Sequence, residues 1–332
     1  MADVVAGTRD SRGEWQPDER PTTAPIWAWP PRPLEVLKWT FGYHGYLWPW
    51  NALFCLLAVA TWAYLTPELS RMAEFRLDWI AEIYFRNLAL LILITGGLHL
   101  RLYTLRGQGA KYKYSAKWLH EKNPTFLWGS QLRDNVFWSV ASGCTVWTAY
   151  EVPMMWAYAT GAIPYVDWET QPVYFGALLG ALLLWHEVHF YFWHRGLHWK
   201  PLYRSVHYIH HKNVNFGPWS GLAMHPFEHI IYFTSVLIFV VVPSHPIHTL
   251  FALQVAALLA AVGHTGFDQL VVKGKVTLPT DFYHYLHHRY FECNYATTTV
   301  PFDRWFGSFH DGSPEAHARM TKRWSEKRNP RS

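Results

Sequence analysis

Six apolar stretches constrain this chain most, at roughly 46–66, 84–104, 136–160, 173–193, 230–243 and 246–263. In lipid every backbone N–H and C=O must be satisfied within the protein, so an apolar run of such length is read as a helix. A full crossing takes ~20 residues, and the first four runs are long enough. The last two are short or abut "VPSHP", where Pro243 and Pro246 break the helix between them. They read as a hairpin that enters the bilayer and turns back, or as a pair of tilted helices. The expected fold is therefore all-α: an integral-membrane bundle of about four to six apolar helices, some as hairpins. Composition agrees. Of 332 residues 18% are aromatic and 16% charged, against about 25% charged in an ordinary soluble domain. Trp and Tyr settle at the headgroup level. A mean hydropathy of −0.07 leaves room for a substantial polar portion.

Charge suggests an orientation. Segment 101–135 holds seven Lys/Arg (Arg101, Arg106, Lys111, Lys113, Lys117, Lys122 and Arg133), whereas loop 161–172 has none and carries Asp167 and Glu169. Arg195, Lys200, Arg204 and Lys212 follow the fourth run, and the tail is basic. By the positive-inside rule both termini and segments 101–135, 194–229 and 264–332 are cytoplasmic. The net charge of +5, placed in loops beside apolar runs, fits a membrane surface and excludes a nucleic-acid partner. Cys55, Cys144 and Cys293 are far apart without a CxxC, so neither a disulfide framework nor a thiolate metal site is expected. The organisation reads as a flexible polar arm (1–35, without the apolar core of a signal peptide), N-terminal membrane helices and their loops (36–172), a histidine-rich unit (173–310) and a basic tail (311–332).

Histidine is the outlier, at 20 residues. Eleven of them fall into runs: His194 and His198 in "HRGLH"; His207, His210 and His211 in "HYIHH"; His225 and His229 in "HPFEH"; His264 in "GHTGFD"; and His284, His287 and His288 in "HYLHH". On a helix, positions i, i+3 and i+4 share a face. HxxxH therefore sets two imidazoles side by side, and HxxHH puts three on one stripe. Chance supplies about 0.07 HxxHH per chain of this composition. This many nitrogen donors exceeds what one first-row ion accepts, so more than one metal is expected, and imidazole suits Fe, Zn, Cu and Ni alike. Histidine ligands need acceptors for their second N–H; Glu187, Glu228, Asp268, Asp281 and Asp303 are near in sequence. His44, His99, His120, His245, His248, His310 and His317 join no run and read as ordinary interfacial or hydrogen-bonded residues. "HEVH" at 186–189 is HExH, not HExxH, and lacks the i, i+4 pair of a zinc protease.

The stretch from about Glu187 to Gly307 resembles the fatty acid hydroxylase / sterol desaturase superfamily of integral-membrane di-iron oxygenases. The similarity runs in order through "YFWHRGLH", "LYRSVHYIHH", "MHPFEH", "VGHTGFD" and "HYLHHRYFECNYATTTVPFDRWFGSFHD". Glu187 stands where the family usually has Asp, Ala296 replaces a Gly, and Phe302-Asp303 replaces Trp-Asp. The match covers about 120 residues and is specific to the superfamily rather than to any member.

The resemblance implies membrane helices carrying a cytoplasmic helical cap that holds a polyhistidine dimetal site. Two non-haem irons would be bound there with O2 as co-substrate. The reaction would be hydroxylation or desaturation of an unactivated C–H position of a lipid, sterol-like or fatty acyl. It further implies that His194, His198, His207, His210, His211, His225, His229, His264, His284, His287 and His288 are metal ligands. Glu187 and Asp268 would accept hydrogen bonds from them, and Asn294 would hydrogen-bond near the site. With neither HPGG nor GxGxxG in the chain, electrons would come from a separate ferredoxin or cytochrome b5 type donor, with Arg195 and Lys212 as candidate attractors of it. Two alternatives stay open from the residues alone: a non-catalytic membrane protein that binds or transports zinc, and a metal-assisted membrane hydrolase. The apolar span centres weigh against transport.

Overall fold

The computed structural model describes residues 7–18, 23–43, 45–273, 275–279, 281–297 and 299–328; His44 lies outside them. Within the stretch expected to be a flexible arm, β1 (Gly7–Arg9) pairs antiparallel with β2 (Trp15–Pro17). This hairpin is held to the chain body by Trp15 N donating to Tyr114 O and Trp15 Nε1 donating to Asp268. Then come α1 (Pro33–Phe41), α2 (Trp50–Leu65), α3 (Leu77–Thr104) and α4 (131–160). They are followed by α5 (Pro172–Leu197), α6 (200–211), α7 (Pro226–Val240) and α8 (Pro246–Gly263). A second hairpin, β3 (Gln269–Val272) with β4 (Lys275–Pro279), precedes α9 (Phe282–Tyr290) and α10 (Pro314–Arg328). The fold is thus mostly helical, with two short hairpins that an all-α reading omits.

Among the described residues three helices are long and apolar enough to cross a membrane: α3, α5 and α8. Two of the four expected full spans do not qualify. The first run forms α2, whose 16 residues reach about 24 Å, short of the ~30 Å hydrocarbon core. The third run lies in α4, which is long but carries buried Thr148 and Glu151. Those polar groups face a neighbour. Arg86 of α3 donates to Glu151 in a fully buried ion pair, and Asn87 Nδ2 donates to Glu151 at 3.0 Å and Thr148 at 3.2 Å.

The break at "VPSHP" falls as expected: α7 ends at Val240 and α8 starts at Pro246. His245 and His248 close a reciprocal cap there, with His245 Nδ1 accepting from Ile247 N and His248 Nδ1 from His245 N. The second half of α7, Thr234–Val240, is wound as a 3-10 helix. Its larger rise stretches the 15-residue leg to about 26 Å, close to the ~27 Å of α8. The rings of His210 before the two legs and His264 after them lie 5.1 Å apart, so the pair of helices starts and finishes at one place. The main core packs Trp79, Trp147, Phe233, Phe239 and Phe251 between these helices.

Candidate metal centre

Nine imidazoles converge in two groups. His194, His198, His207, His211 and His287 form one, and His210, His264, His284 and His288 the other, with ligand atoms in each group within 4.8 Å of one another. Four segments supply them: the end of α5, α6, the residue after α8, and α9. The doubled HxxHH now has a structural reason. Each His-His dipeptide divides between the groups, so His211 and His287 enter the first while His210 and His288 enter the second. The rings of 210 and 211 are 5.7 Å apart at 89°, and those of 287 and 288 are 5.8 Å apart at 88°. Adjacent helical residues project about 100° apart, so one dipeptide serves two neighbouring centres.

Proton placement fits these groups to a cation. His207 Nδ1 donates to Glu228 Oε1 at 2.7 Å, His287 Nδ1 to Cys293 O at 2.6 Å, His194 Nδ1 to Tyr295 O at 2.8 Å, and His264 Nδ1 to Ala260 O at 2.8 Å. Those acceptors assign the proton to Nδ1 and leave the Nε2 lone pair facing inward. In the first group His198 Nε2 lies 3.2 Å from Nε2 of both His207 and His287, and His287 Nε2 lies 3.0 Å from His211 Nε2. In the second, His264 Nε2 is 3.0 Å from His284 and 3.2 Å from His288, which is 3.0 Å from His210. More lone pairs meet than the remaining protons can bridge, an arrangement that a bound cation relieves. Burial first, and neighbouring imidazoles second, hold His210, His211, His284 and His288 well below the usual imidazole range. The rings are therefore neutral, the form that ligates metal. The residues present fit a pair of metal ions.

The other expected site residues lie elsewhere. His225 is the N-cap of α7: Pro226 starts the helix and His225 Nδ1 accepts from Phe227 N at 3.1 Å. His229 has both ring nitrogens engaged, Nδ1 with Ser142 Oγ at 2.8 Å and Nε2 with Leu222 O at 3.2 Å. Neither joins a group, because on α7 it is Glu228 that points at His207. Glu187 accepts from Val300 N at 2.8 Å. Asp268 is bonded to Trp15, Tyr114 and Gln269, not to a histidine, since the bridge between Lys113 and Phe267 turns it toward the N-terminal hairpin. Asn294 acts through the backbone: its amide donates to Tyr283 O and His310 O, and its Oδ1 accepts from His310 N. Lys212 is buried against Asp134 at 2.8 Å and offers no free charge, whereas Arg195 is exposed and packs over Tyr295. The carbonyls of Ala260, Cys293 and Tyr295 escaped the sequence reading, because backbone acceptors have no side-chain signature.

Beside the centre lies a cavity of about 440 Å³, within the usual range for small-molecule sites. Leu183, Leu197, Ile231, Val255, Leu259 and Val262 make its apolar walls, and His194, His207, His210, His264 and His284 line it from both groups. Glu187, Asp281 and His186 add polar points. Burial raises the Asp281 carboxyl to about 6, against the N–H bonds it accepts as N-cap of α9.

The fatty acid hydroxylase family model matches residues 179–308. The chain is similar to methylsterol monooxygenase 1 of Rattus norvegicus, 35% identical over 156 residues, 44% of this chain and 51% of that protein. It is also similar to the delta(7)-sterol-C5(6)-desaturase of Nicotiana tabacum, 29% identical over 177 residues, 52% of this chain and 62% of that protein. It thus spans about half to three-fifths of the length of these curated relatives. No solved structure matches it. The matched domain coincides with the two histidine groups, and together with relatives of these two kinds it supports a likeness of residues 179–308 to the fatty acid hydroxylase / sterol desaturase superfamily.

Proposed function

We propose that this chain is a membrane-bound di-iron oxygenase that hydroxylates or desaturates an unactivated C–H position of a sterol-like or fatty acyl lipid, using O2 and electrons from a separate ferredoxin or cytochrome b5 type donor. The observation that carries the reading is the pair of histidine groups, with eight of nine rings buried, along one apolar cavity. Iron bound there would supply the one-electron and O2 chemistry that side chains lack. The nine grouped histidines would hold it, and Glu228 and the carbonyls of Ala260, Cys293 and Tyr295 would keep Nδ1 protonated and Nε2 free. The cavity walls would orient an aliphatic substrate and exclude water. The charge pattern of the loops supports a cytoplasmic centre, within reach of a soluble donor and of a lipid arriving sideways. The catalytic unit would then span 173–310.

The test combines metal analysis with lipid mass spectrometry. Protein from iron-replete cells should carry about two irons per chain. Cells with the gene should gain one lipid class bearing an added oxygen or lacking two hydrogens, and only with O2. Zinc alone in anaerobically prepared protein, or no O2-dependent lipid change, would end the proposal.

A further inference from the structure

Helix α1 is apolar on two sides and buries only one. Val36, Trp39 and Thr40 are half-buried, and the Trp39 ring lies 4.8 Å from Tyr46. The other stripe, Leu34, Leu37 and Phe41, is 73%, 54% and 64% exposed. Spacings of three and four put these side chains on one face. Trp29, just before the helix, is 88% exposed. A contiguous apolar stripe left in water is unfavourable by the usual area argument, so something covers it.

Its surroundings say what. The segment runs alongside α5: Tyr46 OH donates to Gly180 O in the first half of that helix, and Trp27 Nε1 donates to Thr299 O, next to Val300, which Glu187 of α5 holds. Helix α5 is a candidate span with only 17% of its apolar window buried inside the chain, so its outer flank faces the same medium as the stripe. An aromatic chain makes the surfaces continuous. Trp27 meets Trp305 at 5.0 Å, Trp305 meets Phe302 at 5.6 Å, and Phe302 meets Phe192 of α5 at 5.7 Å. Exposed Arg32 and Lys38 flank the stripe, where long cationic side chains reach headgroups. Just beyond it, Tyr46, Trp50 and Asn51 line the cavity.

We propose that residues 27–41 are an interfacial strap, with α1 bedded in one leaflet of the bilayer at the mouth of the cavity, where a lipid passes sideways toward the histidine groups. The occupant of the stripe is a lipid surface, not a second protein. The identity of the passing lipid rests on the oxygenase reading; the bedding of the helix does not.

Spin labels decide it. Full-length protein with Cys55→Ser would be labelled singly at Leu34→Cys, Leu37→Cys, Phe41→Cys or Glu35→Cys and reconstituted in phosphatidylcholine nanodiscs. Labels at 34, 37 and 41 should collide more with O2 than with a water-soluble nickel chelate, and the label at 35 should do the reverse. Water-like collision at all four sites overturns the proposal. So does shielding of the stripe from both reagents, the pattern of a second copy or a protein partner. This readout needs no turnover, so it stands whether or not the oxygenase reading does. With turnover measured, the Leu37→Glu/Phe41→Glu variant should raise KM for bilayer-delivered substrate roughly tenfold with kcat kept. An unchanged KM would remove the strap from substrate entry.

Discussion

His207 Nδ1–H donates a hydrogen bond to Glu228 Oε1, while Oε2 of the same buried carboxylate has no partner among the described residues. The acceptor of a ligand's second N–H typically sets metal affinity by about 10–100-fold. Glu228→Ala should therefore lose bound iron by that order in a metal titration, whereas Ser142→Ala, which frees only His229, should keep it. The imidazoles also fix the acid limit. Burial lowers His264 to about 4 and His287 to about 3, against about 6.5 in an unfolded chain. A depressed folded value means that the unfolded state binds protons first. Stability from these groups is complete above about 6.5 and is lost as pH falls through 4 toward 3. Thermal melts of chelated protein should show a midpoint that is flat above neutrality and declines below about pH 6.5; a midpoint that rises on acidification would contradict the neutral cage.

At the scale of elements, one short loop orients two of the grouped histidines. Cys293 O and Tyr295 O accept from His287 and His194, and Asn294 between them sits at φ 52°. Asn tolerates that region, and its side chain ties the loop to Tyr283 and His310. Asp303 holds the next two amides, Tyr295 N at 3.0 Å and Ala296 N at 2.7 Å. Asn294→Ala should cost about 1–3 kcal/mol and lower metal occupancy; Asn294→Gly should recover the backbone share of the loss but not the hydrogen bonds. Between α3 and α4, breaking the buried Arg86–Glu151 pair by Glu151→Leu should destabilise by ~3–5 kcal/mol. Adding Arg86→Met should restore much of that, as read by thermal unfolding in detergent. Histidine spacing made α6 and α9 legible as helices that bring several imidazoles to one place. The same spacing put His225 and His229 among the candidates, and it carries no sign that Glu228 between them is the residue aimed at His207.

For the whole molecule, a metal held by the nine grouped histidines would link binding to folding. Nine donors from four segments, eight of them buried, hold one another only weakly without a cation, so removal of metal should lower the melting temperature, and return of iron should restore it by mass action. A chelated protein that melts unchanged would show that the groups are held by packing alone. The chain's own order determined much: apolar runs that must be helical, prolines that break the α7–α8 hairpin, and a histidine supply too dense and too periodic for chance. These are local properties, readable from spacing along one backbone. Tertiary packing decided how each His-His dipeptide divides between two groups, and which carbonyls and which carboxylate complete them. Those outcomes depend on the directions from which four separate segments approach a common point, and no spacing within a single segment encodes a direction.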